Sequence, residues 1–274
     1  MNRSRSFAAV ALVVGAVAIA ACGDKNDIHE ISAPTAGSAV KFFNFGVNAP
    51  AVNFYAGDKK ITATSSSACS SAVNGSTTDT TCLTTGKEPT TGTGYGANAS
   101  TFGVYYSVAP GSYTLSGHIT AATDNGLAIS NTSATLENGK FYSYYLSGVY
   151  NTTAKSVEGF VVEDPLPDVT FDKTYIRFVN ASSNSQPMTL YASDSSGTET
   201  AVGSTVAYKS AGSFVALGPG VYNLYARAAG SSTNLISSTA AGLGGGHVYT
   251  VTAYGDMTVS TGTNVPKLDN TPNR

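Results

Sequence analysis

This chain is written twice. Val40-Lys41-Phe42-Phe43-Asn44-Phe45 leads through Asn48-Ala49-Pro50 into Val52-Asn53-Phe54-Tyr55-Ala56. Much later, Tyr175-Ile176-Arg177-Phe178-Val179-Asn180 leads through Ser183-Asn184-Ser185-Gln186-Pro187 into Met188-Thr189-Leu190-Tyr191-Ala192. A second landmark follows in each copy, Pro110-Gly111-Ser112-Tyr113 and Pro219-Gly220-Val221-Tyr222. Each copy then reaches a Gly-then-aromatic strand, at Gly139-Lys140-Phe141-Tyr142 and Gly246-His247-Val248-Tyr249. Three landmarks in one order indicate a tandem duplication, and so long a shift means two domains, not a solenoid.

Short β-rich runs broken by Gly, Pro, Asn and Ser fill both copies, and no segment after the leader sustains a 3.6-residue apolar period. Val248/Thr250/Thr252 against Tyr249/Val251/Ala253 is the alternation of a strand with one face in a core. The Pro-Gly pairs suit type II turns, with glycine taking the positive φ. About seven strands in about 100 residues per copy predict an all-β chain of two tandem, Ig-like antiparallel β-sandwiches. The expected bounds are 39–164 for the first sandwich, 165–173 for a stiff linker carrying Pro165 and Pro167, and 174–261 for the second. The sandwiches are expected to sit end to end. Residues 262–274 read as a disordered tail. The first copy also carries a Ser/Thr/Gly-rich insert at about 64–97, expected to pack little.

The amino terminus places the protein. Arg3 and Arg5 precede an apolar run from Phe7 to Ile19 that is too short for a comfortable transmembrane helix. It ends in Ile19-Ala20-Ala21-Cys22, which resembles the lipobox of a bacterial lipoprotein. The resemblance implies a signal peptide over 1–21, acylation of Cys22, and a membrane anchor at the head of a tether over 22–38. Gly23 after the cysteine favours the outer membrane, on its periplasmic face or at the cell surface. Loss of 1–21 removes two arginines and no acid, leaving a net charge of −4. So weak an acidic balance argues against nucleic acid as partner. The remaining cysteines, Cys69 and Cys82, read as a disulfide that closes the insert and contributes roughly 3 kcal/mol.

Chemistry is sparse. His29, His118 and His247 fall in the tether and in two different copies, so no metal site is read from them. No Gly-x-Ser-x-Gly elbow precedes a helix. Glu158, Glu163, Asp164, Asp168 and Asp172 gather near the linker, where Glu163, Asp164 and Asp168 are the weak candidates for a calcium site; a solvated acidic linker is the favoured alternative. The glycines at 242–246 precede a strand, which a phosphate cradle does not. Tyr142, Tyr144 and Tyr145 are candidates for stacking on sugars, although alternation puts Tyr142 and Tyr144 on the face opposite Tyr145, so at least one set is core. Asp79-Thr80-Thr81 is a short, weak match to an O-glycosylation acceptor.

The landmarks resemble the bacterial envelope modules grouped as "domain of unknown function 4397". The resembling residues are Asn48 to Pro50 with Val52 to Tyr55 and Pro110 to Tyr113 in one copy, and Pro187 to Tyr191 with Pro219 to Tyr222 in the other. These are turn and core positions, so the resemblance implies a two-module Ig-like lipoprotein and no assigned activity. The expectation is a non-enzyme without cofactor, binding or scaffolding an envelope protein or polysaccharide. The alternatives are a passive spacer on the membrane surface or, less favoured, an accessory hydrolase subunit.

Overall fold

The computed structural model describes residues 37–65, 87–89, 91–100 and 104–274, all within one compact unit. Cys22, Cys69, Cys82, His29, Asp79 and the leader lie outside the described residues, so the anchor and the disulfide have no structural counterpart here.

Among the described residues each copy builds nine strands where about seven were expected. In the first, β1 (Ser38–Asn44), β2 (Val52–Ala56), β3 (Lys59–Lys60), β4 (Ala97–Asn98) and β5 (Tyr106–Val108) are followed by β6 (Gly111–Ile119), β7 (Thr132–Leu136), β8 (Phe141–Asn151) and β9 (Ser156–Glu163). In the second, β10 (Thr174–Asn180), β11 (Met188–Ser193), β12 (Glu199–Val206), β13 (Ser210–Ala211) and β14 (Val215–Leu217) are followed by β15 (Gly220–Ala228), β16 (Ile236–Leu243), β17 (Val248–Tyr254) and β18 (Lys267–Pro272). No helix occurs among the described residues.

Strand order repeats as closely as sequence. One sheet runs β4-β1-β8-β9 with β5 also on β1, and its counterpart runs β13-β10-β17-β18 with β14 on β10. The second sheets run β3-β2-β6-β7 and β12-β11-β15-β16. Pairing is antiparallel except that β1 runs parallel to β8 and β10 to β17. Each sandwich closes over its own core: Phe42, Phe54, Leu115 and Tyr144 in the first, Phe178, Leu190, Leu224 and Val251 in the second.

The landmark residues have specific work. Asn44 Nδ2 donates to the carbonyls of Pro50 (3.0 Å) and Thr93 (2.9 Å), and Asn180 Nδ2 to Ser185 Oγ (2.9 Å), so the same asparagine pins the turn after the first strand of each copy. Pro-Gly is not a type II turn. Both glycines already begin strands, Gly111 with a φ of 153° and Gly220 without a positive φ. The tyrosine two residues on folds back over each glycine, its ring in ordinary contact at 3.4 and 3.5 Å from where a Cβ would stand, and it is the positive φ of Gly111 that calls for glycine. Tyr113 Oη donates to the Ala109 carbonyl (3.0 Å) and Tyr222 Oη to the Gly218 carbonyl (2.7 Å), a contact like the tyrosine corner of Ig domains.

Three expectations are corrected. Residues 262–274 are not a disordered tail: Lys267–Pro272 pair with β17 from Tyr254 to Tyr249, as β9 pairs with β8. The strand is polar because its outer face meets a polar surface, so it lacks the apolar alternation by which strands are recognised. The sandwiches do not sit end to end. The outer face of β1-β8-β9 packs against the outer face of β10-β17-β18, which is why β1, β8, β10 and β17 are buried on both sides. Finally, the described end of the insert does pack. Glu88 is buried, its carboxylate accepting from Asn53 Nδ2 (2.6 Å), Lys60 Nζ (2.9 Å) and Tyr55 Oη.

Candidate functional site at the seam between the sandwiches

Period-two geometry sends one residue in two from the shared strands into the seam. From the first copy come Lys41, Phe43, Ser143, Tyr145, Ser147, Phe160 and Asp164. From the second come Arg177, Val179, Thr250, Thr252 and Tyr254. The middle is an aromatic cluster in which Tyr145 stacks on Phe43 (4.6 Å) and Phe160 (5.0 Å), and Phe45 stacks on Tyr254 across the two copies (4.2 Å).

Beside it lies a buried polar network. Arg177 forms an ion pair with Asp164, donates through Nη1 to the Glu163 carbonyl (2.9 Å) and through Nε to Thr250 Oγ1 (3.0 Å), and lies over the Phe214 ring. Asp164 also accepts from Tyr105 Oη (2.8 Å) and Ser143 Oγ (2.7 Å). Lys41 Nζ donates to Asn273 Oδ1 (2.8 Å) and to the Pro272 carbonyl. Burial lowers its pKa to about 7, against the raising charges of Asp164 and Asp269 and with the lowering charge of Arg177.

The register makes these contacts reciprocal. Lys41 is the counterpart of Arg177, Pro272 of Glu163, and Asn273 of Asp164. The cation of each copy's first strand thus reaches the carbonyl and side chain that close the other copy's last strand. Such exchange is the signature of an isologous, two-fold interface, here inside one chain.

The residues singled out from sequence are mostly spent on structure. Tyr142, Tyr144 and Tyr145 are 5%, 0% and 0% exposed, so none presents a ring to a ligand. Their alternation holds, but both faces of β8 are covered. Of the calcium candidates, Asp164 is taken by Arg177, Glu163 pairs with Lys140 (3.2 Å), and Asp168 is exposed. Among the described residues no three His, Cys, Asp or Glu side chains converge on a metal position.

His118 stacks on Tyr55 (3.9 Å) and shares a hydrogen bond with Ser116 Oγ (3.0 Å) beside a polar groove of about 500 Å³. Burial lowers its pKa. Glu88, the nearby carboxylate, is committed to Asn53, Tyr55 and Lys60 and does not orient the imidazole. His247 instead faces the carbonyl of Arg274 (3.2 Å).

Sequence reasoning missed Lys41, Arg177, Tyr95 and Tyr208, which organise the seam. A signal existed: one cation interrupts an otherwise apolar first strand at the same place in both copies. A second cleft, of about 470 Å³, opens where the copies meet, lined by Tyr95 and Asn48 from the first and Tyr254, Asn264 and Lys267 from the second.

Compared with known families, residues 38–191 and 175–273 each match the family described as a domain of unknown function, DUF4397. No curated protein matches the chain.

Proposed function

The chain belongs to the family described as domain of unknown function DUF4397, in two copies, and from that premise we propose that it is a lipid-anchored, non-catalytic binding or scaffolding module of the cell envelope. The observation that carries this reading is the locking of the two copies face to face by a buried ion pair and a stacked aromatic cluster. Such a seam holds its clefts in a preformed geometry, which lowers the ordering cost of binding. Commitment of the buried carboxylates Asp164 and Glu88 to internal donors leaves neither free as a general base, which supports a role without chemistry. A spacer is less favoured, because face-to-face packing gives up the reach that end-to-end modules would have. In this reading Cys22 carries the lipid, at the outer membrane, and the partner is an envelope protein or polysaccharide.

The test is crosslinking in intact cells with tagged full-length protein, followed by identification of captured protein and glycan. A saturable partner absent from a Cys22→Ala control is the expected result. Recovery of nothing above that control would reject the binding role and favour the spacer.

A further inference from the structure

The reciprocal contact across the seam is built twice and finished with different chemistry. In one instance Arg177, a group that stays protonated, meets the Asp164 carboxylate, and the two remain an ion pair. In the other, the matching positions hold Lys41 and Asn273, an amine and a carboxamide. Lys41 Nζ lies 2.8 Å from Asn273 Oδ1, the atom bonded to the amide carbon Cγ, and both side chains are buried. The strand that carries the amide differs from its counterpart at three positions in a row. Asp269, Thr271 and Asn273 share one face of β18 and stand where β9 has Phe160, Val162 and Asp164. A carboxyl and a hydroxyl thus replace a ring and an aliphatic side chain beside one lysine, at a desolvation cost that a hydrogen bond from Lys41 to Asn273 does not require.

The surroundings suit a condensation of the two groups. The amide is held at both ends: Oδ1 faces Lys41, and Nδ2 donates to Thr250 Oγ1 (2.6 Å), to which Arg177 Nε also donates (3.0 Å). The Tyr105 ring covers Lys41 Nζ, 4.4 Å from its centre. Burial brings the Lys41 pKa down to about 7, with Asp164 and Asp269 raising it and Arg177 lowering it, so near neutral pH much of the amine has a free electron pair. Asp164 is committed to Arg177, Tyr105 and Ser143. Asp269 instead accepts from Thr271 Oγ1, and burial raises its pKa, so it takes up a proton more readily than an ordinary carboxylate. A cleft of about 510 Å³, lined by Asn273, Phe141 and Leu166 among others, opens beside the amide and gives a small leaving group a way out. Groups fixed in contact by the fold react at an effective concentration that free side chains never reach.

We propose that Lys41 and Asn273 condense into an intramolecular isopeptide bond, which ties the first strand of one copy to the end of the other copy's last strand. Neutral Nζ attacks Asn273 Cγ. The Nζ–Cγ bond forms, the Cγ–Nδ2 bond breaks, and one proton passes from Nζ by way of Asp269 to the departing nitrogen. One ammonia leaves for each bond made, and nothing is oxidised or reduced. The product closes a covalent ring through both sandwiches and clamps the seam from its buried side. Arg177 and Asp164 do not follow, because a guanidinium is no nucleophile at neutral pH and an ionised carboxylate is a poor electrophile. Once bonded, Lys41 ceases to titrate, so any pH dependence due to its amine belongs to the chain before the bond closes.

The test is peptide mapping of full-length protein whose fold is first verified by a cooperative melt. The protein is unfolded in urea, digested with trypsin and read by mass spectrometry. The expected product is a branched peptide, uncut at Lys41 and joined to the peptide that begins at Leu268, lighter than the two together by one ammonia. Fragmentation should place the branch at Lys41 and Asn273. Succinimide formation at Asn138-Gly139 also releases ammonia but joins no second peptide, so the branch tells the two apart. Lys41→Arg copies the cation of the other copy, keeps a donor for the same acceptors and lacks the amine; it should release both peptides separately. Folded, unsubstituted protein that is cut at Lys41 and yields the Leu268 peptide free would overturn the bond, as would a branch that persists in Lys41→Arg. The first of these outcomes needs no variant to fold.

Discussion

Arg177 and Asp164 show what a charge does when it is sealed between two modules. Both are desolvated, and what retains them is a full set of partners: Thr250, the Glu163 carbonyl, Tyr105 and Ser143. Removing one member is therefore worse than removing both. Arg177→Met is expected to lower stability in urea by about 3–5 kcal/mol, because Asp164 stays buried without its counter-charge, and adding Asp164→Leu should restore part of the loss. Lys41 makes the seam sensitive to pH. Its pKa falls from 10.5 in the unfolded chain to about 7, so from pH 7 to 10.5 the unfolded state binds the proton that the folded state has released. While Lys41 is a free amine, stability should then rise with pH across that window, by on the order of 10 °C in Tm. The groups facing Lys41 are Asp164, Arg177, Asp269 and the Tyr105 ring. Above pH 10 the trend should reverse, since burial raises the pKa of Tyr55, Tyr105, Tyr145 and Tyr208 and keeps them protonated only in the fold. Melting curves from pH 6 to 11 check both limbs, and in Lys41→Met the rise between 7 and 10 should vanish.

At the scale of elements, β18 carries more than its composition suggests. It covers the edge of β17, and the residues at its end accept from Lys41. Truncation after Gly262 should expose β17 as an edge, leave Lys41 without those acceptors, and produce a less stable protein that self-associates, measurable by light scattering and thermal unfolding. The strand is hard to recognise alone, as Lys267-Leu268-Asp269-Asn270-Thr271-Pro272 has one large apolar residue. It is easy to place by duplication, because a copy whose β8 is answered by β9 needs a partner for β17. The Pro-Gly landmark teaches a similar lesson. Its glycine was legible as a backbone requirement, which Gly111 meets with a φ of 153° outside the type II range, whereas Gly220 has no positive φ and is simply covered by the tyrosine ring at ordinary contact distance.

For the molecule as a whole, the seam makes two modules into one folding unit. An interface of stacked aromatics and reciprocal cations is closer to a core than to a hinge. Calorimetry should therefore show a single unfolding transition. Phe45→Ala removes the ring that stacks on Tyr254 and should cost about 3–5 kcal/mol, either lowering that transition or splitting it in two. Two transitions in the unaltered protein would mean that the modules are independent.

What the sequence determined alone was everything that a local period or an internal comparison can carry. The β-class, the two copies and the inward faces of strands such as Val248–Tyr254 follow from spacing along one chain. Tertiary structure decided which outward faces are truly outward. Tyr145 and Arg177 lie on the side of their strands away from their own core, and nothing local distinguishes a face that meets water from one that meets a second sandwich. The same holds for Lys41, whose partner Asn273 stands at the end of the other copy's last strand, because hydrogen-bond satisfaction is a property of residues brought together from both copies.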